Sequence, residues 1–160
     1  MRQRPWESGT VEGAPDRLVL ELTCSLDAPR EQIFRAMTDP SALAKWWGPS
    51  GFTTPEIQLD LHVGGGYRFG MQPPDGELFH LAGEFIEIDP PSVLAYTFRW
   101  EEPDPDDQET LVRLSLHAIE GATHLALSQG DFATRARLTL HENGWTDSFV
   151  KLRQFIEADT

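Results

Sequence analysis

Histidine and the aromatics are the residue types here with chemistry to offer. His141 lies four residues before Trp145 and eight before Phe149, so a helical period puts all three on one face. An unperturbed imidazole titrates near pH ~6.5 and can orient a ligand carbonyl or act as a general acid–base with a nearby tyrosine or water. It can equally be a histidine bonded to neighbouring backbone, or one at a cavity rim. His141 is the one catalytic candidate; His80 is weaker, because its strand parity is open. His117 and His124 fall opposite each other across a hairpin, but two imidazoles without a third ligand make a surface coincidence the simpler reading. The run Glu101, Glu102, Asp104, Asp106, Asp107 and Glu109 holds six carboxylates yet lacks the glycine and terminal glutamate of a calcium loop, so it reads as a solvated hairpin loop. No metal and no cofactor is expected. GxSxG, HExxH and P-loop motifs are absent, and Gly64-Gly65-Gly66 does not continue as GxGxxG; those glycines read as letting a strand pair and bend tightly.

The aromatics are in phase. Leu94, Tyr96, Phe98 and Trp100 alternate onto one face of a strand, as do Tyr67, Phe69 and Met71 on another. Each ring can be ordinary core. As a set, so many bulky rings facing one helix leave gaps, and their polar tips need partners. The residues expected to line a ligand cavity are Trp47, Tyr67, Phe69, Tyr96, Phe98, His141, Trp145 and Phe149. Arg68 and Arg99 fall out of phase, so outer-face charges are the simple reading; a bulge that reversed the parity would instead make either a cavity cation for an anionic ligand.

The elements that must position these groups follow from periodicity. Leu18–Leu26 alternates as a half-buried strand. Asp27 is placed to cap a helix starting near Pro29; Asp39-Pro40-Ser41 ends that helix and starts another, from Ala42 to Trp47, stopped by Gly48-Pro49. Six strands then follow at 55–61, 66–71, 78–88, 92–100, 109–119 and 122–129, with connections too short for crossover helices, hence an antiparallel meander. A two-residue turn at Glu120-Gly121 pairs Leu116 with Leu125, Leu114 with Leu127, and His117 with His124. A helix over 134–157 carries Leu138, His141, Trp145, Phe149, Leu152 and Ile156 on one face; Asn143-Gly144 inside it is a turn signal, but the stripe stays in phase, and the glycine suggests close approach to a strand. The fold class is α+β: a seven-stranded curved antiparallel sheet wrapped round a long C-terminal helix, with two short helices after the first strand. A gap between sheet and helix is a natural small-molecule site.

Composition sets the outer limits. The 160 residues suit one domain, residues 17–160, after a flexible tail at 1–16 whose Trp6 can dock on the body. A net charge of −13 repels phosphate backbones and anionic lipids, so neither nucleic acid nor membrane is an expected partner. A single Cys24 excludes internal disulfides, and no apolar run approaches the ~20 residues of a membrane span or forms a secretory signal. A cytoplasmic location is the expectation, with a homodimer about as open as a monomer.

Several runs carry a resemblance: Thr38-Asp39-Pro40, Lys45-Trp46-Trp47-Gly48-Pro49 with Gly51-Phe52, Gly64-Gly65-Gly66-Tyr67-Arg68-Phe69, Gly83-Glu84-Phe85-Ile86-Glu87-Ile88-Asp89-Pro90-Pro91, Leu94-Ala95-Tyr96-Thr97-Phe98, and His141-Glu142-Asn143-Gly144-Trp145. In this order they resemble the bacterial homologues of the activator of heat-shock-chaperone ATPase, within the START-like (SRPBCC) superfamily, over about residues 18 to 157. The resemblance implies a helix-grip fold and the holding of a small hydrophobic molecule between sheet and helix. It leaves open a polyketide cyclase-like or hydrolase-like enzyme acting in the same cavity, or a co-chaperone that binds protein. No universal catalytic residue comes with it.

Overall fold

The computed structural model describes residues 17–158; the tail expected at 1–16 lies outside the described residues. Strand β1 (Leu20–Leu26) is followed by helices α1 (Arg30–Thr38) and α2 (Pro40–Trp46), then by β2 (Thr53–Leu59), β3 (Gly66–Gln72), β4 (Phe79–Asp89), β5 (Val93–Trp100), β6 (Thr110–Ile119) and β7 (Ala122–Gly130), and finally by α3 (Arg135–Ala158). The strands form one sheet in the order β1-β7-β6-β5-β4-β3-β2, with every pairing antiparallel. The fold is the α+β helix-grip arrangement.

Turn chemistry fixes the β6–β7 hairpin. Glu120 (φ 52°) and Gly121 (φ 85°) both occupy left-handed space, the geometry of a two-residue turn whose twist suits its flanking strands. The register follows: Leu116 faces Leu125, Leu114 faces Leu127, and His117 faces His124. The four leucines are buried and His117 is exposed on the other face. Register shifts in β2 (Thr53/Glu56) and β4 (Phe85/Glu87) interrupt the ladder at the other end of the sheet, where such irregularities bend and twist a strand.

Helix α2 begins as its residues dictate, with the Asp39 carboxylate accepting from the Ala42 N–H at 3.1 Å and Pro40 in the first turn. Helix α1 departs from expectation. Pro29 itself stands at its N-cap and no side chain caps it, because Asp27 lies two residues before the cap. Asn143-Gly144 does not break α3, which runs 24 residues with Leu138, His141, Trp145, Phe149, Leu152 and Ile156 buried. Gly144 faces Pro49 in the loop after α2 rather than a strand; a Cβ there would meet Pro49 Cγ at 3.6 Å, an ordinary contact. The glycine run after β2 does serve close approach: Gly64 turns at φ 90°, and a Cβ on Gly65 would overlap the Asp60 carbonyl. Two buried polar links hold α3 in place. Trp145 Nε1 donates to Gln129 Oε1 at 2.7 Å, and Ser148 Oγ donates to the Gly48 carbonyl at 3.0 Å.

Candidate functional site

A cavity of about 300 Å³ opens between one end of the sheet, the loop after α2 and the first half of α3. Its walls are apolar, with Trp47, Phe52, Met71, Phe79, Phe98, Trp100, Leu140 and Trp145 lining it; Glu102, Asp104, Asp107 and Arg137 form its polar margin. The register explains why these side chains meet. Met71 pairs with Phe79, and Trp100 pairs with Leu81 two residues further along β4, so the inward rings of β3, β4 and β5 converge at this end. Phe79 and Trp100 lie 5.2 Å apart, centroid to centroid, and Trp47 meets Trp145 edge-on at 5.1 Å.

Of the eight residues expected to line a site, the structure brings four to the cavity: Trp47, Phe98, His141 and Trp145. Tyr67, Phe69, Tyr96 and Phe149 do not line it and pack in the core instead. Gly83, paired opposite Tyr67, has no side chain, and the Tyr67 ring lies against it while its hydroxyl donates to the Thr97 carbonyl at 2.6 Å. Burial, above all, holds the Tyr67 and Tyr96 phenols far above their ordinary range, so neither ionises near neutrality. Position along the strand, rather than facing alone, separates core rings from cavity rings. Pairing β3 with β4 through the Pro73–Gly76 turn puts Met71 beside Phe79, and that register was the signal from which the cavity end could have been found. Phe52 and Leu140 carried no such signal, since one is a loop residue and the other lies off the buried stripe of α3.

His141 is fully engaged. The Trp100 indole N–H donates to its Nε2 at 3.0 Å, and its Nδ1 stands 2.7 Å from the Arg137 carbonyl oxygen. An indole only donates and a carbonyl only accepts, so these partners fix a neutral imidazole protonated at Nδ1. Burial, first, depresses its pKa below the ordinary histidine value. Neither ring nitrogen is left to handle a substrate proton.

The acidic loop is not simply solvated, and three of its carboxylates, Glu102, Asp104 and Asp107, line the cavity. Arg137, in the first turn of α3, reaches Asp104 Oδ2 at 2.9 Å, Asp106 Oδ1 at 3.0 Å and Asp107 Oδ1 at 3.5 Å. Asp106 also accepts from the Thr134 hydroxyl at 3.0 Å, the chief cause of its lowered pKa. Thr134 in turn accepts from the Arg137 N–H at 3.1 Å, capping the helix. The loop and the helix N-terminus are therefore one ion-paired unit at the cavity mouth.

His80 points to the outer face, where its ring nitrogens meet Glu102 (3.0 Å) and Glu56 (3.3 Å). Its pKa is raised, first by the hydrogen bond to Glu102. Glu101 lies close enough to make His80, Glu101 and Glu102 a potential ligand group, yet Arg68 already grips both Glu101 oxygens at 2.9 Å. The cluster satisfies itself. Arg68 and Arg99 are exposed on the outer face, and the His117–His124 pair stands there without a third ligand among the described residues.

The class defined by this architecture is a helix-grip domain with a cavity between sheet and C-terminal helix, of the ligand-binding or co-chaperone type. The sequence matches the family described as "Activator of Hsp90 ATPase homolog 1-like protein" over residues 27–157, and the chain belongs to that family. Protein CV1439 from Chromobacterium violaceum is similar, at 26% identity and a TM-score of 0.80, covering 87% of this chain and 96% of its own. The AHSA1 protein of Silicibacter pomeroyi is 27% identical with a TM-score of 0.76, covering 89% and 99%. No curated protein matches. Among the described residues, no helix is long and apolar enough to cross a membrane.

Proposed function

We propose that this protein binds or sequesters a small, largely hydrophobic molecule in the cavity between the sheet and α3. One observation carries the reading: the cavity walls are aromatic and aliphatic, while the polar side chains within them are already bonded to the protein. His141, the Trp100 and Trp145 indoles and Ser148 all spend their hydrogen-bonding groups internally. A ligand here gains by removing apolar surface from water, at roughly 25 cal/mol per Å², and among the described residues it meets no buried side-chain nitrogen or oxygen left without a partner. Holding is favoured over turnover because His141 has no free nitrogen and neither tyrosine reaches the cavity.

Tryptophan fluorescence and melting temperature test this. Ligands of naphthalene size, titrated as a panel, are expected to quench Trp47, Trp100 and Trp145 and to raise Tm. Gly144→Leu supplies the control, since its added side chain projects from α3 beside Pro49 into the cavity. That variant is expected to weaken binding roughly tenfold, about 1.4 kcal/mol, while gaining up to ~1 kcal/mol of helix propensity. If no panel member shifts either signal, the reading fails.

The family description supports a second reading, a module that acts on a chaperone ATPase. Stimulation of that ATPase by the purified protein would favour it, and its absence over a concentration series would dismiss it.

A further inference from the structure

We infer that the cavity selects molecules with an apolar body and a cationic head, an amine rather than a carboxylate or phosphate. The inference rests on the ligand-holding reading above and adds the charge class of what is held.

Two features at the mouth would ordinarily draw an anion: the guanidinium of Arg137 and the N-terminus of α3. The protein has filled both with its own carboxylates. Arg137 points its three nitrogens at Asp106, Asp104 and Asp107. Asp106, bonded to the capping Thr134 and to Arg137, stands at the helix end where a ligand anion would lie. An incoming carboxylate would have to displace an aspartate or stand beside several.

A cation meets the opposite situation. Glu102, Asp104 and Asp107 line the cavity, with Arg137 the only cationic lining residue among the described residues. His80 adds a second positive charge when protonated, but it sits on the outer side of Glu102, and Asp106 stands with the aspartates. Four acids against at most two bases leave the mouth negative. Asp107 is the natural anchor. Its side chain is only 8% exposed, held by the Asp104 N–H (2.8 Å) and, at longer range, by Arg137. A carboxylate has about four acceptor positions, so capacity remains for an ammonium group. The head of such a ligand would lie between Asp107 and Asp104 while its body fills the space among Phe79, Trp100 and Trp145, whose faces also favour cations.

The experiment uses the full chain and three probes with one body: 2-naphthylmethylammonium, 2-naphthylmethanol and 2-naphthylacetate, titrated calorimetrically at low and at physiological ionic strength. The cation is expected to bind at least tenfold more tightly than the anion, with the alcohol between them, and the gap is expected to narrow with salt. In Asp107→Asn, which keeps an oxygen for the Asp104 N–H, the cation is expected to lose most of its advantage while the alcohol binds as before. If all three bind equally, or the anion binds best, the charge inference is overturned and the cavity reading stands. If none binds, the cavity reading itself falls.

Discussion

Protonation of His141 is opposed from three directions. Burial disfavours the imidazolium, the Trp100 indole N–H needs a lone pair on Nε2, and the rings of Phe98 and Phe132, with centroids 5.6 and 4.9 Å away, supply apolar neighbours that do not solvate a charge. Its depressed pKa has a sign consequence for stability. The unfolded chain takes up a proton near pH ~6.5, while the folded chain does so only at lower pH. In that interval the unfolded state binds more protons, so stability falls as pH drops below about 6.5 and is unaffected above it. His80 acts in the opposite sense. Its raised pKa gives a contribution that is complete below pH ~6.5 and is lost as pH rises through the folded value. The two act in adjacent windows, His80 above pH ~6.5 and His141 below it, so a comparison across both windows sees them partly offset. Replacing His141 by Gln is expected to reduce the fall in Tm between about pH 7.5 and 5.5 relative to wild type. Thermal melts of the pair at the two pH values decide it, and an equal or larger fall in the variant would show that His141 is not held neutral by folding.

Side-chain links hold helix α3 to the rest of the domain along its length, among them Arg137 to the acidic loop, His141 to Trp100, Trp145 to Gln129 and Ser148 to Gly48. The first link fixes the segment between β5 and β6. Arg137→Leu would leave three aspartates close together with no cation among them, and the loop is expected to open first. Amide exchange over residues 101–108 should accelerate by at least an order of magnitude, with a global cost of about 1 kcal/mol, as befits a partly exposed network. Unchanged protection would mean that Thr134 and the backbone hold the loop unaided. Elements of this kind differ in how readable they were. The β6–β7 register was legible because a two-residue turn specifies it and the alternation of Leu114, Leu116, Leu125 and Leu127 excludes a one-residue slip. The unbroken α3 was legible because its stripe stays in phase through Gly144. The cavity was only half legible. Facing groups Tyr67 and Tyr96 with Phe98, and what separates them is their distance along the strand from the open end of the sheet. The pairing of Arg137 with Asp104, Asp106 and Asp107 was not legible at all, since its partners lie about thirty residues away and charge spacing carries no contact information.

For the molecule as a whole, a net charge of −13 is the dominant long-range term. The ion pairs of Arg17, Arg68, Arg113 and Arg137 are local, with their shortest contacts at 2.6–2.9 Å. Repulsion among the surplus carboxylates acts across a domain whose radius of gyration is about 15 Å. Salt distinguishes the two because the Debye length is ~30 Å at 0.01 M and ~8 Å at 0.15 M. At the lower concentration the whole domain repels itself; at the higher one only near neighbours interact, and contact pairs are weakened far less than distant repulsion. The net effect of added sodium chloride over this range is therefore stabilising, and Tm is expected to rise. The same screening shortens the reach of the negative cavity mouth and slows capture of a cationic ligand. Melting temperature and association rate should thus move in opposite directions along one salt series, an unusual pairing for a site that shares its charges with the fold. A falling Tm would mean that local pairs such as Arg137 with its aspartates outweigh the surplus. An association rate indifferent to salt would mean that the carboxylates at the mouth do no steering.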